Sequence, residues 1–265
     1  MNTERPNILN KIVDRKKEEV AEAKSKVSIS QLETSDYFER KPLSFREFLL
    51  AENRSGIISE FKRRSPSKGL INGEADVATV TQAYNAAGAS ALSVLTDTDF
   101  FGGKKEDILA ARAVNQIPIL RKDFMVDEYQ ILEAKAWGAD IILLIASILT
   151  PQQIIDFGKL AHNLGLNVLL EVHNLEELRQ SICPHLDAIG VNNRNLGDFT
   201  VDIQTSFKLA EQIPNEFLKI SESAIDNPEV IKQLKTVGFN GFLIGENFMK
   251  TGNPGQAMRE FVERI

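Results

Sequence analysis

The chain has 265 residues, 43% of them hydrophobic and 26% charged, enough to bury a sizeable core in one large domain or two small ones. Its 31 Lys and Arg against 37 Asp and Glu leave a net charge of −6, which argues against a general nucleic-acid binder. A lone cysteine, Cys183, excludes an intrachain disulfide and suits a reducing compartment.

In chain order, the opening MNTERPN lacks the apolar stretch of a secretory signal. Residues 7–26 predict an amphipathic helix, with Leu9, Ile12, Val13 and Val20 near one face and charges filling the other. A short helix is expected over 44–51, with Phe45, Phe48 and Leu49 on one side. From residue 56 short β-rich runs alternate with longer helical patterns. The runs lie at 56–61, 91–95, 117–121, 141–146, 167–172, 188–191, 218–221 and 241–245. Amphipathic segments follow them near 76–87, 106–115, 127–137, 151–163, 174–181, 202–212, 227–236 and 254–264.

This alternation predicts a parallel sheet, and eight units in about 210 residues predict an α/β fold, a closed (β/α)8 TIM barrel. Gly88, Gly138, Gly165 and Gly238 stand where helices should end, and Thr150-Pro151 and Asp226-Asn227-Pro228 stand where helices should start. An open doubly wound sheet is the competitor, but no Gly-x-Gly-x-x-Gly turn follows the first strand. The longest apolar run, 141–146, is far too short to cross a bilayer. A cytoplasmic protein with no membrane partner is expected.

Barrel enzymes carry their chemistry at the C-terminal ends of the strands. Read in order, those ends offer Glu60 and Lys62 in SEFK, Lys122 in LRKDF and Glu171 in LLEVH. They continue with Asn192 and Arg194 in GVNNRNL, Glu222 and Ser223 in ISESA, and Gly245 and Glu246 in LIGEN. Glu60 and Lys62 are two apart, so they share one side of a strand. Carboxylates and ammonium groups converging on one barrel mouth are the material of acid–base catalysis. The loops after strands seven and eight often bind phosphate, and Ser223-Ala224 and Gly245-Glu246 occupy those places. Four cations, Lys62, Arg63, Arg64 and Lys68, fall within seven residues after the first run, a local anion site in an acidic chain. Arg63 alternates away from Lys62 and is expected outside the site. RRSPSK joins a strand to a loop, so it is not read as a nucleic-acid patch. His162, His173, His185 and Cys183 read as structural, and no His/Cys spacing reads as a metal site.

Taken together, IISEFKRRSPSKG, LTDTDFFGG, LRKDFMVDEYQI, LLEVHNLEEL, IGVNNRNL and SESAI resemble, in order, the strand-end signatures of the indole-3-glycerol phosphate synthase family. ILNKIVDRKKEEV resembles the helical segment that packs over the barrel mouth in that family. The resemblance implies one barrel domain over residues 1–265, with about the first 50 as a helical extension over the mouth. It implies ring closure, decarboxylation and dehydration of 1-(2-carboxyphenylamino)-1-deoxyribulose 5-phosphate, without metal or organic cofactor. Lys122 is then the acid at the ketone oxygen and Glu171 the base for dehydration. Glu60 and Lys62 share the remaining proton traffic and hold the substrate carboxylate. Asn192 and Glu222 orient sugar hydroxyls and catalytic groups, and Phe101 and Phe124 line the aryl pocket. Arg64, Ser67 and Lys68 sit on a loop that folds over the substrate.

The implied partner is a small phosphosugar, with no nucleic acid and at most weak association with other tryptophan-pathway enzymes. Two alternatives stand beside this reading, a related phosphosugar isomerase and a non-catalytic phosphosugar-binding barrel. An isomerase of this kind would be expected to use a cysteine and an aspartate, and Cys183 lies away from the strand ends. The chain departs from the family at Ala224, where Ser-Gly is usual, and at Glu246, where some relatives carry serine. Alanine is strained there if the backbone needs positive φ.

Overall fold

Each predicted run becomes a strand because it is short and rich in β-branched or aliphatic residues. The computed structural model describes residues 8–195 and 199–265. The strands are β1 (Ile57–Phe61), β2 (Ala91–Leu95), β3 (Ile119–Lys122), β4 (Ile141–Ile145), β5 (Asn167–Val172), β6 (Ala188–Asn192), β7 (Leu218–Glu222) and β8 (Gly241–Ile244). Among the described residues these eight pair in parallel, each with its neighbour in sequence. β1 closes the ring by pairing with both β8 (Ile58 beside Leu243) and β2 (Ile58 beside Ala91).

Between and after them run α4 (Val77–Ala86), α5 (Lys105–Val114), α6 (Tyr129–Ala136), α7 (Pro151–Asn163), α8 (Leu175–Ser181), α9 (Gln204–Leu209), α10 (Pro228–Thr236) and α12 (Pro254–Val262). Capping side chains set where several begin. Thr150 forms a full capping box with Gln153 at α7, and Asn227 caps α10 just before Pro228. Gly88, Gly138, Gly165 and Gly238 all take positive φ past helix ends, as their positions predicted.

The alternating strand residues build two cores. Outward residues such as Ile57, Leu92, Val94, Val168, Leu170 and Phe242 pack against the helices. Inward residues, including Ile58, Ala91, Leu120, Ile141, Leu143, Leu169, Leu218, Ile220 and Leu243, fill the barrel interior. The second core explains the N-terminal segment. Beyond α1 (Ile8–Lys26) and α2 (Ile29–Glu33), the chain descends to α3 (Phe45–Leu49), whose Phe45 and Leu49 plug the interior from the N-terminal end of the strands. A methyl group on Gly241, which opens β8, would collide with Ile220 and crowd Leu49. α1 lies at the other end, where Ile8, Leu9 and Ile12 face the barrel mouth.

Three features have no counterpart in the predicted elements. α2 is a five-residue helix held by a Ser28–Gln31 capping box. Arg64–Ser65 and Gly69–Leu70 pair as a small antiparallel ribbon after β1. A four-residue helix, α11 (Glu246–Met249), follows β8. The polar face of α1 also differs from expectation, because Lys16 is buried rather than solvated. Its ammonium lies 3.0 Å from Asp97, 2.9 Å from Asp123 and 2.7 Å from Glu19.

Candidate active site

The side-chain alternation that fills the barrel with aliphatic groups brings ionisable ones to its mouth. Along β1 the inward positions run Ile58, Glu60, and then Lys62 just past the strand. Along β3 they run Leu120, Lys122; along β5 Leu169, Glu171; along β6 Ala188, Gly190, Asn192; along β7 Leu218, Ile220, Glu222. Each of these five strands therefore ends its inward face on a polar group one layer above the aliphatic plug.

These groups meet. Lys122 Nζ lies 3.0 Å from Glu171 Oε2 and 2.8 Å from Glu222 Oε2. Lys62 Nζ lies 2.6 Å from Glu60 Oε1. Asn192 donates to Glu171 Oε1 at 3.2 Å, and its own Oδ1 accepts from Ser223 Oγ and from the backbone N–H of Arg194, both at 3.0 Å. Two glycines make room for the carboxylates. A Cβ on Gly190 would collide with Glu222 Oε1, and one on Gly245 would collide with the Glu60 side chain.

The electrostatics follow from burial and pairing. Burial works to lower the Lys122 pKa, but Glu171, Glu222 and Glu60 overcome it and hold the ammonium well above its usual value. Burial works to raise Glu171, but Lys122 and His173 hold it well below the usual carboxylate range. Glu222 is pushed up to about 7, first by burial and then by Glu171, with Lys122 opposing. One ammonium cannot fully compensate two carboxylates, and the one with a second cationic neighbour stays ionised. At neutral pH the cluster therefore holds a charged lysine, a charged glutamate and a glutamate that can carry a proton.

Around the cluster is a cavity open to solvent. Glu60, Lys62, Ser67, Lys122, Glu171, Asn192, Arg194, Glu222, Ser223 and Glu246 contribute to its wall, with α1 above through Ile8, Leu9 and Ile12. Phe101 and Phe124 line it as a pair of rings 5.9 Å apart, tilted by 38°. A second hollow shares Glu60, Lys62 and Arg194 with the first. It is bounded by Ser223, Ala224, Gly245 and Glu246, the loops after β7 and β8. The cavity thus has an aromatic end, an ionised centre and an end of short loops.

Ser223 and Ala224 both take positive φ, +65° and +60°. Alanine thus stands in a left-handed conformation that favours glycine. The Glu246 carboxylate faces two cations, 3.5 Å from Lys68, one of the four predicted to form the anion site, and 3.7 Å from Arg194. Among the described residues Lys68 is not part of the cavity wall and keeps a half-exposed side chain. Arg63 turns outward into a bidentate pair with Asp107, at 2.6 and 3.0 Å, as its alternation predicted. No group of three His, Cys, Asp or Glu among the described residues is arranged to hold a metal ion.

Residues that sequence reasoning missed include Asp97, Asp123 and Lys16, a buried triad beside Lys122. Asp123 is pulled below the usual carboxylate range by Lys16 and Arg121, against burial. An acidic residue next to Lys122 was visible in LRKDF, but its lysine partner sits more than a hundred residues earlier. His173 was read as packing, yet its Nε2 lies 3.3 Å from Glu171 Oε1.

The family model described as indole-3-glycerol phosphate synthase matches residues 9–261. A protein of that name from Bacteroides thetaiotaomicron is 49% identical over 259 residues, covering 98% of this chain and 99% of its own length. Another from Carboxydothermus hydrogenoformans is 42% identical over 257 residues, covering 94% and 97%. Among solved structures, KGPDC from Streptococcus mutans superposes with a TM-score of 0.60 at 13% identity, over 78% of this chain and 95% of that one. A thiamine phosphate pyrophosphorylase from Pyrococcus furiosus gives 0.59 at 17%, over 80% and 96%. At such identities these structures share the fold alone.

Proposed function

The chain belongs to the indole-3-glycerol phosphate synthase family, and from that premise we propose how its mouth divides the work of the reaction. The enzyme is a carboxy-lyase that turns 1-(2-carboxyphenylamino)-1-deoxyribulose 5-phosphate into indole-3-glycerol phosphate. The aryl carbon bearing the carboxylate attacks the ketone carbon, and the ketone oxygen takes up a proton. The carbon–carboxylate bond then breaks, CO₂ departs, and its electron pair restores the aromatic ring. The remaining hydroxyl leaves as water with one proton from an acid, while a base takes one from the neighbouring carbon. The sum consumes one proton from solvent.

The Lys122–Glu171–Glu222 cluster carries the assignment. Lys122 is the acid at the ketone oxygen, since its carboxylate neighbours keep it charged in a buried site where a developing oxyanion is strongly stabilised. Glu171 is the base of dehydration, because it alone of the pair at Lys122 is held ionised. Glu60 and Lys62 hold the substrate carboxylate and share the remaining proton traffic. Asn192 and Glu222 orient the sugar hydroxyls, and Phe101 and Phe124 receive the aryl ring. Ser223, Ala224, Gly245 and Glu246 take the phosphate end with Arg194, and Ser67 and Lys68 close over it.

We read the chain as one domain with a helical extension of about 50 residues, which starts over the mouth, where Ile8, Leu9 and Ile12 line the cavity, and descends to the opposite end of the barrel at Phe45 and Leu49. The free Cys183 supports a reducing, cytoplasmic setting. No helix of the described residues is long and apolar enough to cross a membrane.

The test is turnover of the carboxyphenylamino-deoxyribulose phosphate by purified protein without added metal, followed by indole fluorescence and released CO₂. Both signals are expected together. Tight binding without turnover would overturn the assignment in favour of a ligand-binding barrel.

A further inference from the structure

Glu171 is held from two sides. Its Oε2 faces Lys122, and its Oε1 faces Asn192 and His173. Among the described residues the wall of the substrate cavity includes Glu171 but not His173, which borders a separate polar hollow with Asn174, Glu177 and Asn192. The imidazole thus sits behind the carboxylate rather than beside the substrate.

His173 Nε2 meets Glu171 Oε1 as a 3.3 Å ion-pair contact without hydrogen-bond geometry, and the far side of the ring is fixed by hydrogen bonds. His173 Nδ1 lies 3.1 Å from Glu177 Oε2, and the same oxygen accepts the backbone N–H of His173 at 2.8 Å. Glu177 Oε1 accepts from the Asn174 side chain at 2.9 Å, while the Glu177 backbone N–H donates to Asn174 Oδ1 at 2.9 Å. Asn174 is the N-cap of α8, so the stretch HNLEE anchors Glu177 on a helix start. An ionised carboxylate can only accept hydrogen bonds. A ring lying between two of them has use for a proton on both nitrogens.

We propose that His173, clamped by Glu177, is a positioning residue for Glu171: it fixes the orientation of that carboxylate and directs the proton shared at the mouth to Glu222. The inference rests on Glu171 being the base of dehydration. The charged groups facing the pair are Lys122 from β3, Glu222 from β7 and Glu60 from β1, with Lys62 beside Glu60, and Glu177 from α8. Lys122 touches both Glu171 and Glu222 and so does not by itself choose between them. His173 contacts Glu171, and this asymmetry makes the choice. The raised pKa of His173, pushed up to about 10 by Glu171 and Glu177 against burial, accords with a ring charged throughout the working range.

The test compares His173→Asn, Glu177→Gln, Glu171→Gln and the His173→Asn/Glu171→Gln double variant in single-turnover experiments across pH, after a thermal melt has checked folding. His173→Asn is expected to slow indole formation by up to about a hundredfold, the scale of a misplaced catalytic group, with KM within about twofold. CO₂ release should keep its native rate, so the cyclised hydroxy intermediate accumulates. The acid limb of the dehydration rate should move to higher pH, because Glu171 loses a cationic neighbour. Glu177→Gln leaves the imidazole in place and should move that limb the same way by less, and it carries the test if His173→Asn fails to fold. In the double variant His173→Asn should add nothing to Glu171→Gln, since it acts through that residue. Losses that multiply in the double variant would overturn the proposal, as would an unmoved acid limb in a folded His173→Asn while Glu171→Gln is inactive. Native turnover by Glu171→Gln would instead remove the base assignment, and the proposal with it.

Discussion

The two ends of the barrel both bury charge, and they treat it differently. At the N-terminal end Asp140, fully buried just before β4, accepts four hydrogen bonds, from Arg40, Arg112 and the backbone N–H groups of Leu43 and Ile119. Both its oxygens are satisfied by groups that also tie the descending N-terminal segment to β3. At the mouth Glu222 has one oxygen on Lys122, while the other, lying where Gly190 has no side chain, has no hydrogen-bond partner among the described residues. Glu171 and Glu222 compete for one ammonium. A saturated buried carboxylate is a structural joint, because any proton or ligand must first break its bonds. An under-satisfied one is poised for exchange, since a substrate hydroxyl or a proton finds a lone pair waiting. The two buried carboxylates thus differ in how fully their hydrogen-bonding capacity is met.

Substitutions that sort the two ends should test this. The largest effect is expected at the mouth. Lys122→Met should lower kcat by about 10²–10⁴-fold, the range of a lost acid–base group, with the fold retained in circular dichroism. A near-native kcat would remove Lys122 from the chemistry. At the opposite end Asp140→Ala leaves Arg112, itself buried, without its carboxylate partner, and should lower stability by about 3–5 kcal/mol in a denaturant titration. Turnover per folded molecule should be unchanged, and a loss of kcat at permissive temperature would break the contrast.

Smaller effects sharpen it. In the folded protein Glu222 keeps its proton to about 7, whereas a free glutamate releases it near 4.5. Between these values the unfolded chain binds fewer protons, so this residue's contribution makes stability fall as pH rises, and the penalty is complete above about 7. Glu222→Gln should therefore raise the melting temperature at pH 8 and lose that advantage below about pH 5, while lowering activity. A constant offset across pH would show that Glu222 does not carry the shared proton. The smallest change is Ala224→Gly. Relief of a left-handed alanine, partly offset by a more flexible unfolded chain, should stabilise the protein by at most about 1 kcal/mol. Thermal melts with and without inorganic phosphate would measure it, and a lower melting temperature would show that the Ala224 methyl packs favourably.

Much of this molecule was legible along the chain. The eight strands and the helices between them follow from alternating and helical periodicities that local sequence states outright. The polar residues that end the inward faces, Glu60, Lys122, Glu171, Asn192 and Glu222, follow from the same alternation once a barrel is assumed. Ala224 was visible as a departure, and its positive φ is the conformation that made glycine the expected residue. Other features left no trace. Lys16 looks like any helix-surface lysine until Asp97 and Asp123 arrive from two different strand ends. His173 looks like loop packing until β5 and α8 set a carboxylate on each side of it. Gly190 looks like a weak point in a strand until the Glu222 side chain occupies the space.

The barrel, the family and the inventory of groups at the mouth can be read along the chain, because periodicity, caps and ordered motifs are local. How those groups share charge follows from the folded arrangement. Lys122 stands 49 residues from Glu171 and 100 from Glu222 along the chain, yet within hydrogen-bond distance of both. Which carboxylate keeps its proton depends on burial and on ångström separations between such distant residues, and a one-dimensional pattern carries neither quantity.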